Sequence, residues 1–122
     1  MPHALLPRAL LRRLVARSQF LAVAATRRKC ARAGVVLQVR ARDDGDPAIG
    51  IGFTATKKIG NAVVRNRARR RLREAARAVL PRIGVAGSDY VAIARAETGD
   101  TPFLQLIAAF EDAAKNLAGA PR

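Results

Sequence analysis

The sequence predicts an α+β fold in a single domain, with an N-terminal helix, a long basic central helix and a C-terminal helix beside a sheet. The chain has 122 residues, half of them apolar, which suffices for one domain with a core. Short β-branched or alternating stretches are interspersed with longer stretches whose apolar residues recur at helical spacing. No repeat or low-complexity linker divides the chain. We therefore predict one domain over residues 1–122, with flexible ends at 1–11 and 119–122.

The N-terminal region is predicted to be helical. Leu10, Leu11 and Leu14 have the spacing of one or two helical turns. Ser18 is expected to cap the short first helix that follows, because a serine hydroxyl can accept a hydrogen bond from a first-turn amide. Phe20 then lies on the apolar face of that helix.

Three strands are predicted in the rest of the chain. Val35–Val39 is rich in β-branched residues, and a similar apolar segment spans Ser88–Ala94. Between them, Asp43–Pro47 has the composition of a turn. Ile49–Thr56 alternates between an apolar face and a face of glycine and threonine, which predicts a half-buried strand whose small-residue face another group can approach closely.

Two helices complete the prediction. The longest helical pattern begins after Asn61, which can cap it, and is expected to end near Leu80, before Pro81. Pro102 can begin the C-terminal helix. The apolar stripe of that helix comprises Phe103, Leu106, Ile107, Phe110, Ala114 and Leu117. Four aromatic residues are expected in the core: Phe53, Tyr90, Phe103 and Phe110.

The charge of the chain predicts a polyanionic partner. Lys and Arg number 23 against 9 Asp and Glu, a formal net charge of +14. Residues 1–80 carry 19 of the basic and 4 of the acidic side chains, so the partner is expected to meet this part of the chain. Nucleic acid and an anionic membrane surface both fit such a balance.

Side-chain catalysis and metal binding are not predicted. One Cys and one His exclude a disulfide framework, a Cys/His zinc cluster and a catalytic triad of ordinary composition. We therefore predict no catalytic residues and no metal ligands. The arginines before Phe20–Ala25 also fit a cleaved targeting segment, but the basic character continues beyond it, and cytoplasmic use of the whole chain is favoured.

The central helix is predicted to bind phosphate. Seven arginines fall within residues 65–77 with Glu74 as the only acid, although like charges four residues apart each destabilise a helix by about 0.2–0.5 kcal/mol. A solvated charged face normally mixes signs, so that alternative is less favoured. Arginine suits phosphate because its planar guanidinium binds two oxygens at once. The predicted apolar arc of this helix is Val64, Ala68, Leu72, Ala75, Ala76 and Val79.

Residues 57–74 closely resemble the signature of the bacterial ribonuclease P protein subunit, with its Arg-Asn-Arg triplet at Arg65–Arg67. Further similarity covers about residues 12–118, including Gly52–Thr56 and Asp89–Arg95, in the family's order. The resemblance implies a single-domain α/β sandwich on a sheet of about four strands, with a left-handed βαβ crossover around the basic helix. It also implies a function: the protein assists a catalytic RNA, whose magnesium ions do the chemistry, in removing the 5′ leader of precursor tRNA.

The resemblance also implies two sets of site residues. Those expected to contact the RNA subunit or nearby substrate phosphates are Lys57, Lys58, Asn61, Arg65, Asn66, Arg67, Arg69, Arg70 and Arg73. Those expected at the 5′ leader cleft, between the first helix and the sheet, are Arg17, Phe20 and Gln38. Many members carry aromatic residues at the positions of Ala24 and Gln38, so two stacking surfaces are missing here. Phe20 has the alternative of being a core residue of the first helix.

Other functions remain open at this point. The main alternative is a non-catalytic RNA scaffold protein, such as a ribosomal protein. A DNA-binding module is not expected, because helix-turn-helix spacing is absent from the sequence. A membrane-surface helix is not expected either, because the basic helix has no Leu-rich or aromatic face. The expected partners are therefore the ribonuclease P RNA and precursor tRNA.

Overall fold

A computed structural model describes residues 11–118 of the chain as a five-stranded mixed sheet with three helices. The predicted α+β class is confirmed, with five strands where about four were expected. In chain order the elements are β1 (Leu11–Arg13), α1 (Arg17–Ala25), β2 (Lys29–Arg32), β3 (Val35–Ala41), β4 (Ile49–Thr54), a 3-10 turn (Lys57–Ile59), α2 (Ala62–Ile83), β5 (Ser88–Ala94) and α3 (Phe103–Ala118).

The strand order across the sheet is β1-β4-β5-β3-β2. β4 and β5 are parallel neighbours joined through α2, which makes a βαβ crossover at the centre of the sheet. β1 adds in parallel to β4, whereas β3 is antiparallel to β5 and forms a hairpin with β2. The left hand of the crossover, implied by the family resemblance, stays a prediction.

The main core lies between the sheet and helices α2 and α3. Alternate strand residues such as Leu37, Ile49 and Ala92 face it, because successive side chains of a strand point to opposite sides. Tyr90 is fully buried there, and its hydroxyl accepts a hydrogen bond from the Val85 amide at 3.0 Å. Phe110 is also fully buried. The expectation of a core position is confirmed for both aromatic residues.

The opposite face of the sheet carries a smaller cluster. Leu14, Val23 and Val91 are buried in it, and Phe20 and Ile93 pack against it. Helix α1 covers this face and is anchored at its end by Thr26, whose hydroxyl donates to the Val39 carbonyl at 2.9 Å. The sheet is thus covered by two helices on one side and by a nine-residue helix on the other.

The start of the described chain differs from the prediction. Leu11 lies in β1 and pairs with Ile49, so it is not part of the predicted helical turn. Leu10 and the predicted flexible segments 1–10 and 119–122 lie outside the described residues. Ser18 does not cap α1, which begins one residue earlier. Instead, the Gln19 carboxamide oxygen accepts from the amides of Val15 and Ala16 at 3.0 and 2.9 Å.

Helix α2 continues beyond the predicted stop. Pro81 lies inside it, and the helix ends at Ile83. A proline in the last turn removes one intrahelical hydrogen bond, and burial of the adjacent Leu80 keeps the turn packed on the core. The Gly84 amide closes the helix on the Leu80 carbonyl at 2.8 Å.

Two aromatic residues are less buried than Tyr90 and Phe110. Phe53 is half-buried and packs against the main core, so its expected position is confirmed. Phe103 is not a core residue, because 37% of it is exposed. It begins α3 at the surface, where its ring lies 5.7 Å from the guanidinium carbon of Arg71.

Candidate nucleic-acid interface

The segment before α2 places two lysines beside the first turn of the helix. Lys57 and Lys58 are exposed on the 3-10 turn, and the chain then passes Gly60 at φ 148°. A Cβ at Gly60 would lie 2.9 Å from the Val64 side chain, so both conformation and space require glycine. The predicted cap is confirmed, because the Asn61 side-chain oxygen accepts from the Val64 amide at 3.0 Å.

Helix α2 has one buried side and one charged side, as its pattern predicts. The buried residues include Ala68, Leu72 and Val79, all with no exposed surface. Val64 departs from the predicted arc: it is 37% exposed and packs over Gly60 in the first turn. The remaining surface carries eight arginines against Glu74.

Two of these arginines donate to backbone carbonyls between β5 and α3. Arg67 donates through Nε and Nη2 to the Gly99 carbonyl at 3.1 and 3.0 Å. Arg71 donates to the carbonyls of Thr98 and Thr101 and lies over the Phe103 ring. Together they attach α2 to the loop before α3. The RNA contact expected of Arg67 stays a prediction. The Nε and Nη2 groups of this arginine already donate to the Gly99 carbonyl.

The other cations are directed outward. Within residues 11–118, Lys57, Lys58, Arg65, Arg70 and Arg73 have no hydrogen bond or ion pair. We call the surface they form with two further α2 residues the basic face. Those two are Asn66 and Arg69, which are hydrogen-bonded to each other at 2.7 Å.

The basic face has almost no acidic compensation. Glu74 pairs with Arg77 at 3.1 Å, with both side chains more than half exposed. Such an exposed pair contributes little to stability. No other acid of the part of the chain that the structure describes neutralises the like charges on the face, so an anion that binds there relieves their repulsion.

A second candidate surface lies on the opposite side of the sheet, between α1 and strands β3–β5. We call it the sheet cleft. Phe20 lies directly over Gly52, where a Cβ would come within 2.5 Å of the ring. The small-residue face predicted for β4 thus serves to seat an aromatic ring. Phe20 is half-buried, and it both packs on the small cluster and borders the cleft.

The other two leader-cleft residues share this side of the sheet. Gln38 of β3 is in register with Val91 of β5, and Val91 is in register with Gly52 of β4, which lies below Phe20. Gln38 is therefore two strand spacings, about 10 Å, from Gly52. Arg17 is exposed one turn before Phe20 on α1. The structure therefore places all three predicted residues around the same face, and their contact with a leader stays a prediction.

Two of the three acids of the turn 43–46, Asp44 and Asp46, are bonded to neighbouring backbone amides and arginines. Arg42 donates to Asp89 at 2.7 Å, to Asp44 at 3.0 Å and to two backbone carbonyls. Burial lowers the pKa of Arg42, but the hydrogen bonds to these carboxylates outweigh it and raise the pKa overall. The pKa of Asp44 is lowered, first by a hydrogen bond from the Asp46 amide. These acids are therefore tied up in the structure of the turn.

Two further observations bear on the chemistry of the described residues. Between Leu11 and Ala118, no group of three or more His, Cys, Asp and Glu side chains could hold a metal ion. In the same part of the chain, none of the helices has both the length and the apolar character needed to cross a membrane.

Sequence reasoning did not select Arg13. It lies on β1 in register with Ile51, on the side of the sheet that α2 covers. Arg12 and Arg13 point to opposite sides of the sheet, as successive residues of a strand do. The spacing of the leucines around them instead predicts a helical turn, so this strand pattern was not used.

Comparison with known proteins agrees with this architecture. The family model described as Ribonuclease P matches residues 9–118. The ribonuclease P protein component of Caulobacter vibrioides is 53% identical over 95 residues, which are 78% of this chain and 63% of that protein. That of Gluconacetobacter diazotrophicus is 54% identical over 95 residues, 78% of this chain and 81% of the relative. The chain thus spans less than two thirds of the Caulobacter relative's length.

Solved structures show the same fold. The Thermotoga maritima RNase P protein superimposes with a TM-score of 0.73 at 25% identity, covering 86% of this chain and 96% of that one. The Staphylococcus aureus RNase P protein gives a TM-score of 0.71 at 25% identity, covering 85% and 93%. A family match over nearly the whole described region, together with relatives above 50% identity, shows that the chain belongs to the ribonuclease P protein family.

Proposed function

We propose that this chain is the protein subunit of ribonuclease P, which binds the catalytic RNA and the 5′ leader of precursor tRNA and assists endonucleolytic removal of that leader. The observation that carries the proposal is the basic face, which holds five cations with no acidic partner and no hydrogen-bond acceptor among residues 11–118. Membership of the family supports it.

The basic face suits an RNA backbone for two reasons. Its arginines present planar donors that match phosphate oxygens, and each neutralised phosphate releases condensed counterions. The helix that carries them is also held firmly, because its other side is buried and Arg71 ties it to the loop before α3. Little ordering of the helix is then required when RNA binds.

The sheet cleft supports contact with a single-stranded leader. Phe20 offers a ring on which a base can stack, and Arg17 adds charge one turn away on the same helix. Ala24 and Gln38 supply no aromatic surface, so leader affinity in this chain depends on Phe20 and on charge. These contacts are part of the proposal.

The chemistry is assigned to the RNA partner and its magnesium ions. The described residues do not fit a Mg²⁺ site of their own. Mg²⁺ is held through carboxylates, no group of three or more His, Cys, Asp and Glu side chains among these residues could hold a metal ion, and the carboxylates of Asp44 and Asp46 are already bonded to arginines and backbone amides. The cytoplasm, a reducing compartment, suits the free buried thiol of Cys30.

Reconstitution tests the proposal. Purified protein is added to a bacterial ribonuclease P RNA with precursor tRNA at low magnesium, and 5′ leader release is measured. We expect strong stimulation over RNA alone and no cleavage by the protein alone. The matched controls are Arg70→Ala on the basic face and Arg82→Ala at the far end of α2, where Arg82 pairs with Glu111 at 3.0 Å. Only Arg70→Ala should reduce stimulation.

Two outcomes would contradict the proposal. Tight binding of the RNA without stimulation would favour a scaffold role like that of a ribosomal protein. Cleavage by rigorously purified protein alone, lost on mutation of an acidic residue, would place the chemistry in the protein.

A further inference from the structure

A cavity of about 170 Å³ lies between β1, β4 and α2, on the opposite side of the sheet from the sheet cleft. Its floor includes the apolar side chains of Ile51, Phe53 and Ala76. Three arginines from two different elements also line the cavity. We call it the arginine slot, and its basic residues are Arg13, Arg73 and Arg77.

The fold brings these arginines together from distant parts of the chain. Arg13 is in register with Ile51 across the β1–β4 pair, so it projects on the same side of the sheet as the floor. Arg73 and Arg77 are one turn apart on α2 and therefore face the same way. The guanidinium carbon of Arg73 lies 5.8 Å from the centre of the Phe53 ring, which orients it at the mouth.

The slot is strongly positive and uncompensated. Neither Arg13 nor Arg73 has a hydrogen bond or ion pair within the described residues, and the Arg77–Glu74 pair is solvent-exposed. Residues 1–10, which precede β1 in sequence, contain Arg8 and no acidic residue. That segment therefore cannot supply the missing negative charge.

The shape and charge together define the ligand. An apolar floor under a ring of cations fits a group that is flat and apolar at one end and anionic at the other. The cavity is smaller than the roughly 300–1,000 Å³ of sites for drug-sized ligands, which limits the occupant to about one ring system. A single nucleotide has these properties.

We propose that the arginine slot binds one unpaired nucleotide of the RNA partner, with the base on the apolar floor and its phosphates held by the three arginines. The inference rests on the proposed function, and it adds a base-reading site to a surface that would otherwise contact only phosphates. Because Arg73 belongs to both the basic face and the slot, an RNA strand that follows the basic face passes the slot mouth. Unstacked bases of RNA commonly stack on aromatic rings and guanidinium planes.

Nuclear magnetic resonance on the ¹⁵N-labelled full chain tests the slot directly. We expect AMP to shift the amide signals of Ile51, Phe53 and Ala76, and ribose 5-phosphate, which has no base, to bind there at least fivefold more weakly. Stacking of one base accounts for roughly five- to 150-fold in affinity. Equal binding of AMP and ribose 5-phosphate, or the absence of shifts at these amides, would overturn the proposal.

A pair of variants tests the slot in the complex. Arg13→Ala and Arg12→Ala remove the same charge from neighbouring positions on opposite sides of β1. We expect Arg13→Ala to weaken binding of the ribonuclease P RNA at least threefold more than Arg12→Ala, with the salt slope reduced by about one unit. Equal effects of the two variants would overturn the slot as an RNA contact.

The two arms separate this inference from the proposed function. If the unaltered protein does not bind the ribonuclease P RNA, the proposed function fails, and the AMP titration still decides whether the slot takes a nucleotide. If the RNA binds and stimulates normally but AMP leaves the slot amides unshifted, the inference alone fails.

Discussion

Arg70 and Arg71 are adjacent on α2 and carry the same charge, yet their replacement by alanine should have opposite consequences. Arg71 donates to the carbonyls of Thr98 and Thr101, and its guanidinium carbon lies 5.7 Å from the Phe103 ring centre. Arg70 has no hydrogen bond or ion pair within the described residues. Arg71 is thus a structural residue, whereas Arg70 is available to a partner.

The expected magnitudes follow from these contacts. A hydrogen bond from a charged group contributes about 1.5–3 kcal/mol, and a cation–π contact at the surface about 0.5–1 kcal/mol. Because Arg71 is partly exposed, each of its two hydrogen bonds is taken at the low end of that range. Its removal also relieves the repulsion from Arg67, which stabilises the helix by about 0.2–0.5 kcal/mol. We therefore expect Arg71→Ala to lower the free energy of unfolding by about 3–4 kcal/mol. Arg70→Ala should change it by less than about 0.5 kcal/mol.

Two measurements on both variants distinguish the structural role of Arg71 from the RNA-binding role of Arg70. They are urea unfolding of the free protein and affinity for ribonuclease P RNA as a function of salt. Arg70→Ala should fold normally and lose about one unit of slope in log K against log salt. Arg71→Ala should unfold at lower urea and, where folded, keep the salt slope of the unaltered protein. Equal unfolding midpoints for the two variants would refute the assignment of Arg71 to the α3 loop.

Three further results are expected. Phe20→Ala should weaken binding of precursor tRNA by about 1–3 kcal/mol while leaving mature tRNA unaffected; equal losses for both RNAs with a lowered melting temperature would show a core role instead. Arg65→Ala should reduce the salt slope for the RNA subunit by about one unit without loss of stability, and an unaltered slope would remove Arg65 from the interface. Hydrogen bonds from the amides of Asp46, Ala48 and Gly34 are the largest causes that lower the pKa values of Asp44, Asp46 and Glu97 respectively. Since these pKa values are depressed by folding, the associated stability is fully present above about pH 5, where the unfolded carboxyls are ionised, and is lost as pH falls through the folded-state pKa values. Urea unfolding at pH 6 and pH 3 would measure this loss, and an unchanged midpoint would contradict it.

The sequence predicted those elements in which the spacing of apolar residues along the chain matches the residues that the fold buries. Strands β3, β4 and β5 and helices α2 and α3 have apolar patterns that indicate their type, and alternate residues of the strands and one stripe of each helix lie in the main core. The cap at Asn61 was predictable because the hydrogen bond spans only three residues. The charged side of α2 followed from the same periodicity.

The elements that were missed depend on distant partners. β1 has three residues and is held by parallel pairing with β4, some 38 positions away, so its leucines suggested a helix. β2 has four residues, two of them basic, and no apolar alternation that would indicate a strand. Likewise, the sequence could not distinguish Arg70 from Arg71, because the carbonyls that Arg71 binds belong to a loop 27 and 30 residues further on.

Both edges of the sheet are short and carry cations. β1 exposes Arg12 and Arg13 at one edge, and β2 exposes Lys29 at the other. An unpaired edge strand can recruit a second copy through its free backbone groups, and charged side chains oppose this pairing. The same positive charge that attracts a polyanion therefore also disfavours self-association of the free protein. Because salt screens exposed charges over about 10 Å at 0.1 M, concentrated protein without RNA should stay dispersed best at low ionic strength.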